Sequence, residues 1–384
     1  MQRATRAAEQ LAKRAMDEQL QKLQEELVSR VDALKGFDLT PTLQEQLMAT
    51  GNAIAASVRD ALASTAPLLV PLCDLLSLRA DGMAKHLVSR LYSALLCLAK
   101  ATLGPTSQPA GVLVRAGLCL HMVSSGIAQV PAMLRAQLAS HGLGGAALGF
   151  DAATMSREMQ RSANVLLERF VEMQAQKLSL EVTQWMQATD WLNCPQPAQV
   201  THLVQRTVAE LSSMQSLALQ ILPGDPTRSF LPQGPFPSAS ATIQVLQQRS
   251  QQVASSSAIQ KDLQRMFARK ISFSTATFDG SASTNGKASV SPMLAHVTKL
   301  MLKTLVEEVR LNTFGRAGFQ QIQVDCSMLR WMLPESVEDD GSVIALLDEA
   351  IISCQERCLD PVLVEHTAIE ALCEAKRKEY AHAL

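Results

Sequence analysis

At 384 residues, 47% hydrophobic and with a formal charge of −1, the chain can bury a sizeable core and carries no broad basic footprint for nucleic acid. Ala, Leu, Gln and Met dominate and only two tyrosines occur, a balance that favours helix almost everywhere. No apolar run reaches the roughly eighteen residues of a membrane span, and eight scattered cysteines without a secretory leader predict reduced thiols in the cytosol.

Residues 1–36 are predicted as one coiled-coil-like helix closed by Gly36, with Met16, Leu20, Leu23 and Leu27 at heptad spacing, then Val31 and Leu34. That face is the candidate surface for a partner helix, because a heptad stripe gains little from exposure to water. The Ala and Arg of the first sixteen residues suit a mitochondrial transit peptide, but Glu9, Asp17 and Glu18 oppose that reading. A helical bundle region over 37–222 follows. Thr40-Pro41 opens its first helix, and breaks fall at Pro67, Pro71 and the Gly104–Pro109 stretch. The glycines of 141–150 resemble a phosphate loop, yet no Lys-Ser/Thr follows them, so a helix connection is expected. Asp151 caps a long helix carrying Val165, Leu166, Phe170, Met173, Leu178, Val182, Trp185 and Met186. The Trp185–Trp191 pair reads as core or helix-end packing.

Five prolines between 223 and 240 predict a linker. Pro232 and Pro235 make a PxxP that lacks a close basic anchor. The C-terminal helical bundle, 241–384, begins with a Gln-rich helix whose Lys261, Arg265, Arg269 and Lys270 read as a solvated basic face rather than a lipid contact. Residues 272–291 are expected to be a mobile loop.

From Ser291 to Leu333 the pattern is the most regular in the chain. Leu294, Val297, Met301 and Leu305 line one face of a first helix opposite Lys299, Lys303, Glu307 and Arg310. Gly315 and Gly318 then mark a joint, where a left-handed cap or bend costs little. Phe319, Ile322, Cys326, Leu329 and Leu333 continue at spacings of three and four, with Val324, Met328, Trp331 and Met332 widening the apolar surface before Pro334. After it, Val343, Leu347, Ile351, Cys354 and Cys358 form one stripe. Val364, Ala368, Leu372 and Ala375 mark a last helix.

Chemistry is sparse. Cys354, Cys358, His366 and Cys373 are the best candidate zinc ligands, but the cysteines sit on an apolar stripe and read as core thiols. Cys326 has no neighbouring histidine to activate it, and neither HExxH nor GxSxG occurs. No catalytic residue, cofactor or metal is assigned.

The run LKTLVEEVRLNTFGRAGFQQIQVDC resembles the C-terminal region of the vacuolar protein sorting fifty-one family, the fat-free homologues. The joint Phe314, Gly315, Arg316, Gly318, Gln320, Gln321, Gln323 and Asp325 carries the likeness, supported by Leu263 to Ile271 and Asp360-Pro361-Val362; it covers about residues 259–373. The resemblance implies an all-α, elongated rod of consecutive helical bundles, as in multisubunit tethers. It implies a non-enzymatic subunit of the Golgi-associated retrograde protein complex, and of an endosome-associated recycling complex. Such a subunit acts peripherally at the trans-Golgi network and recycling endosomes. Its implied partners are sister tether subunits, joined through N-terminal coiled segments, with SNARE proteins and small GTPases. Family members extend well beyond this N-terminus, so a partial chain is one expectation. A generic helical scaffold or small-GTPase effector is the alternative, and an all-α enzyme is disfavoured.

Overall fold

The computed structural model describes residues 2–33, 43–65, 80–104, 108–140, 151–222, 236, 290–333 and 340–383. Within them the protein is all-α. The helices are α1 (Gln2–Ala33), α2 (Leu43–Thr65), α3 (Ala80–Thr102), α4 (Pro109–His121), α5 (Ile127–Ser140), α6 (Ala152–Ala188), α7 (His202–Ile221), α8 (Val290–Leu311), α9 (Arg316–Met332), α10 (Asp340–Glu356) and α11 (His366–Ala383). A π turn, Met122–Gly126, joins α4 to α5. The expectations for 141–150, for the basic helix before Lys270, for the loop 272–291 and for 223–240 apart from Phe236 fall outside the described residues, except at Val290 and Ser291, which open α8.

The chain divides into two compact units, and the division falls inside α6. Described residues of Met1–Phe170 and Gln220–Leu222 form the first; those of Val171–Leu219 and Ser289–Leu384, with Phe236, form the second. The sequence boundary at 223–240 separates 171–219 from the C-terminal helices, whereas the structure groups them. Polar bonds without a sequence signature run between α6 and α8 within the second unit. Thr304 Oγ1 donates to Ser179 Oγ at 3.0 Å, and Thr183 Oγ1 donates to Glu308 Oε1 at 3.0 Å, joining α6 to α8.

In the first unit α1 packs on α2 and α3, α2 packs on α4 and α5, and α3 meets α4. Met16, Leu20, Leu23 and Leu27 are 0–3% exposed, facing stripes such as Ile54, Val58 and Leu62 of α2 and Leu87, Leu91 and Leu98 of α3. The heptad face proposed for a partner subunit is therefore occupied within this chain, and α1 is part of a bundle rather than a separate element. Polar links fix the register. Asp17 Oδ1 accepts Arg90 Nε at 2.8 Å, and Glu26 Oε1 accepts Ser57 Oγ at 2.8 Å, its carboxyl held low by Arg30 and Ser57. Arg115 is fully buried, and its Nη1 donates to Thr102 O and Gly104 O, placing positive charge at the negative end of α3.

In the second unit α8 and α9 both pack on α10, and α9 also packs on α11. The glycine joint thus connects two helices that share a third. Leu294, Val297, Met301 and Leu305 are buried as their spacing requires, and Met293, Leu302, Val306 and Val309 bury a second side of α8. Arg310 Nη2 pairs with Glu349 Oε1 at 2.7 Å and Arg330 pairs with Asp348, so both neighbours of α10 are pinned by ions as well as by apolar contact.

Two stripes need correction. Val165, on α6, is 50% exposed while Leu166 and Leu167 are buried. On α11 the buried positions are Ile369 and Cys373, whereas Ala368 and Ala375 are exposed. The phase is displaced because Val362 and Val364 belong to a non-helical segment, and the helix begins only at His366.

Candidate functional site

The residues singled out at the joint converge on one structural task. Thr313 to Gly315 passes between α8 and α9 as a short extended strap. Phe314 is fully buried; its N–H donates to Arg357 O at 3.1 Å and its carbonyl accepts the Leu359 N–H at 2.9 Å, a parallel bridge centred on Cys358. On its other side the Phe314 ring lies 5.3 Å from Trp191. Trp191 is in turn set edge-on to Trp185 at 4.8 Å, and its Nε1 donates to Met186 O at 2.8 Å. The tryptophan pair is therefore helix-end packing.

The glycines admit the backbone of the turn that follows α6. Gly315 donates its N–H to Trp191 O at 2.9 Å, with φ of −79° and ψ of 174°. That is ordinary extended backbone, so the left-handed conformation anticipated at the joint does not occur there. What excludes a side chain is space. A Cβ on Gly315 would stand 2.2 Å from Leu192 O, and one on Gly318 would stand 2.3 Å from Trp191 O. Asp190 closes the same turn: the Asn193 side-chain amide donates to its Oδ2 at 3.0 Å and the N–H groups of Asn193 and Leu192 donate to its Oδ1, which together lower its carboxyl pKa.

Beyond the glycines, α9 presents polar side chains, Gln320, Gln323 and Asp325 buried and Gln321 partly exposed, each of which bonds a segment lacking regular structure. Gln320 Nε2 donates to Val362 O at 3.1 Å, and Gln323 Oε1 accepts the Val364 N–H at 3.0 Å. On the opposite flank Gln321 Nε2 donates to Gln199 O at 3.1 Å, and Asp325 Oδ1 accepts the Thr201 N–H at 2.8 Å. One helix thereby holds two irregular segments, 190–201 and 357–364. Arg316 is exposed in the first turn of α9 and takes no part in these bonds. Gln199, Thr201, Val362 and Val364 escape sequence reasoning because they contribute backbone; Asp360-Pro361-Val362 was the available signal.

Asp325 is completely buried, and burial pushes its carboxyl up to about 7 despite the bonds from Thr201 and Gln321. Cys326, Cys354 and Cys373 are buried thiols with raised pKa values, Cys373 to about 12. Among the described residues no group of His, Cys, Asp or Glu is arranged to hold a metal ion, and the His366 ring lies against Phe236 rather than Cys354 or Cys358. The joint's amides and carboxylate are spent on backbone, so the arrangement positions chain segments. Around it three large apolar side chains stand in solvent: Leu192, 47% exposed, Leu311, 77%, and Leu359, 75%.

Comparison with known proteins gives consistent relatives. The chain is 32% identical over 232 residues to the vacuolar protein sorting-associated protein 51 homolog of Drosophila melanogaster, covering 56% of this chain and 30% of that protein. It is 30% identical over 288 residues to the homolog of Xenopus tropicalis, 71% and 35% respectively. With the Arabidopsis thaliana homolog it shares 28% over 230 residues, 58% and 28%. The chain thus spans about a third of the length of the curated relatives it matches. No family model matches, and no solved structure does.

Proposed function

From the vacuolar protein sorting-associated protein 51 family, to which this chain belongs, we infer a non-catalytic subunit of a vesicle-tethering complex. The reading extends to the Golgi-associated retrograde protein complex and the endosome-associated recycling complex. There the subunit serves carriers that return from endosomes to the trans-Golgi network and fuse through SNARE proteins. Membrane association is peripheral, through partners; no described helix is long and apolar enough to cross a membrane. The observation that carries the reading is the likeness to relatives named for vacuolar protein sorting across animals and a plant.

The joint supports an assembly role through its surface. Leu192, Leu311 and Leu359 sit on the two anchored segments and the end of α8, and exposed leucines beside a rigid framework suit contact with another protein. With the α1 heptad face filled by the chain's own helices, this end of the second unit is the better place to seek a sister subunit. The test is affinity capture of the tagged chain from cells, scored for the other tether subunits, beside a Leu311→Asp/Leu359→Asp variant. Recovery by the unaltered chain and its loss in the variant, with tryptophan fluorescence unchanged, are expected. Capture of no tether subunit would leave the generic scaffold reading in its place.

A further inference from the structure

The proline-rich stretch and the end of α9 meet at one described residue, and the contact has the chemistry of a peptide receptor. Phe236 stands between Pro235 and Pro237. Its ring lies edge-on to Trp331, centroids 5.1 Å apart at 81°, and 5.4 Å from His366 at 42°. Arg377 covers the Trp331 ring as well, with Cζ 5.2 Å from its centroid, and is itself held by Glu374. Trp331 comes from the last turn of α9, His366 from the first residue of α11, and Arg377 from three turns further along α11.

Two features distinguish this platform from ordinary core. Trp331 is 4% exposed, yet its Nε1 finds no hydrogen-bond partner. A buried indole N–H without an acceptor is costly, so the platform keeps an unused donor even with Phe236 seated, and aromatic-lined surfaces are what proline-rich segments dock on. Phe236, the occupant, is itself only half-buried. Prolines on both sides restrict the backbone before docking, so an aromatic in that setting binds with little loss of conformational freedom.

We propose that Trp331, His366 and Arg377 form a receptor for a short extended segment in which an aromatic residue is flanked by prolines. Phe236 fills it in cis, and a partner protein bearing the same kind of segment displaces Phe236. The proposal is independent of the tethering assignment. A cis occupant on the same chain acts at an effective concentration up to the millimolar range, so it masks the receptor against a weak free peptide.

The test uses the full 384-residue chain and a fluorescein-labelled peptide with the sequence of residues 230–240, FLPQGPFPSAS, read by fluorescence anisotropy. The Phe236→Ala chain should bind this peptide roughly ten-fold or more tighter than the unaltered chain, because the cis competitor is gone. Adding Arg377→Ala to Phe236→Ala should weaken binding several-fold while leaving the thermal unfolding curve in place. A peptide carrying alanine for its phenylalanine should not bind. Equal affinity of the two chains, indifference to the peptide's phenylalanine, or no binding to the Phe236→Ala chain at about 1 mM peptide would each overturn the proposal.

Discussion

Replacing Asp325 by Asn should make the second unit more stable at neutral and alkaline pH. Asp325 is wholly buried, Oδ1 accepts from Thr201 and Gln321, and Oδ2 finds no partner. Its carboxyl is raised from 3.8 to about 7 in the fold, first by burial. A folded-state value above the unfolded one means that the native state keeps the proton longer. The associated stability is complete below about pH 4 and is lost as pH rises through about 7. About three units correspond to an upper bound of about 4 kcal/mol. Asparagine keeps the Oδ1 acceptor and has no charge to bury, although its amide hydrogens must be accommodated where Oδ2 lies, at a cost of about 1–3 kcal/mol. All three tryptophans, at 185, 191 and 331, lie in this unit, so urea unfolding followed by intrinsic fluorescence reports it directly. Between about pH 5.5 and 8 the midpoint of the unaltered protein should fall relative to that of Asp325→Asn. His296, lowered by burial, acts with the opposite sign and cancels in the difference; Tyr380, Cys373 and Cys326 titrate above the window. Parallel curves for the two proteins would refute the buried-carboxylate argument.

Gly318→Ala should destabilise the second unit by about 1–3 kcal/mol and shift Trp191 emission, since the new Cβ meets the Trp191 carbonyl; an unchanged urea midpoint would show that the turn yields freely. Leu23→Asp with Leu27→Asp should expose 1–170 to early proteolysis, because two charges enter a face that is nearly inaccessible, whereas resistance equal to the parent would return that face to an external partner. Cys354→Ala should cost about 1–2 kcal/mol and Cys358→Ala less, as the latter is only half-buried. Elemental analysis should find the same zinc content before and after the double change, and stoichiometric zinc released by it would restore the ligand reading.

The regular helices could be read from the sequence because their information is local. Phe319, Ile322, Cys326, Leu329 and Leu333 fall at helical spacing, and all five are buried. Asp151 caps α6 as its position predicts, accepting the Thr154 N–H at 3.0 Å. What occupies a face is non-local, and there the readings diverge. The α1 stripe identifies an apolar surface but cannot name α2 and α3 as its covers. The glycines announce a close approach or an unusual φ equally well; only Trp191 and Leu192, more than 120 residues earlier, decide for close approach. Gln320, Gln323 and Asp325 are polar, yet they are buried because unpaired backbone from irregular segments needs donors and acceptors.

The same distinction bears on the motif at which the sequence resembles the family. An apolar position in a helical core tolerates Leu, Ile or Met with small adjustments, so its identity drifts while its periodicity persists. A glycine pressed against a carbonyl, or a glutamine that spans a fixed gap to one peptide group, has no close substitute. Residues of that kind cluster at 314–325 because a single helix there organises two irregular segments drawn from opposite sides of it in the sequence. The motif therefore specifies how 190–201 and 357–364 are held, and through them where Leu192 and Leu359 are displayed. Under the proposed reading, partner contact falls to those displayed side chains, which the framework holds in solvent.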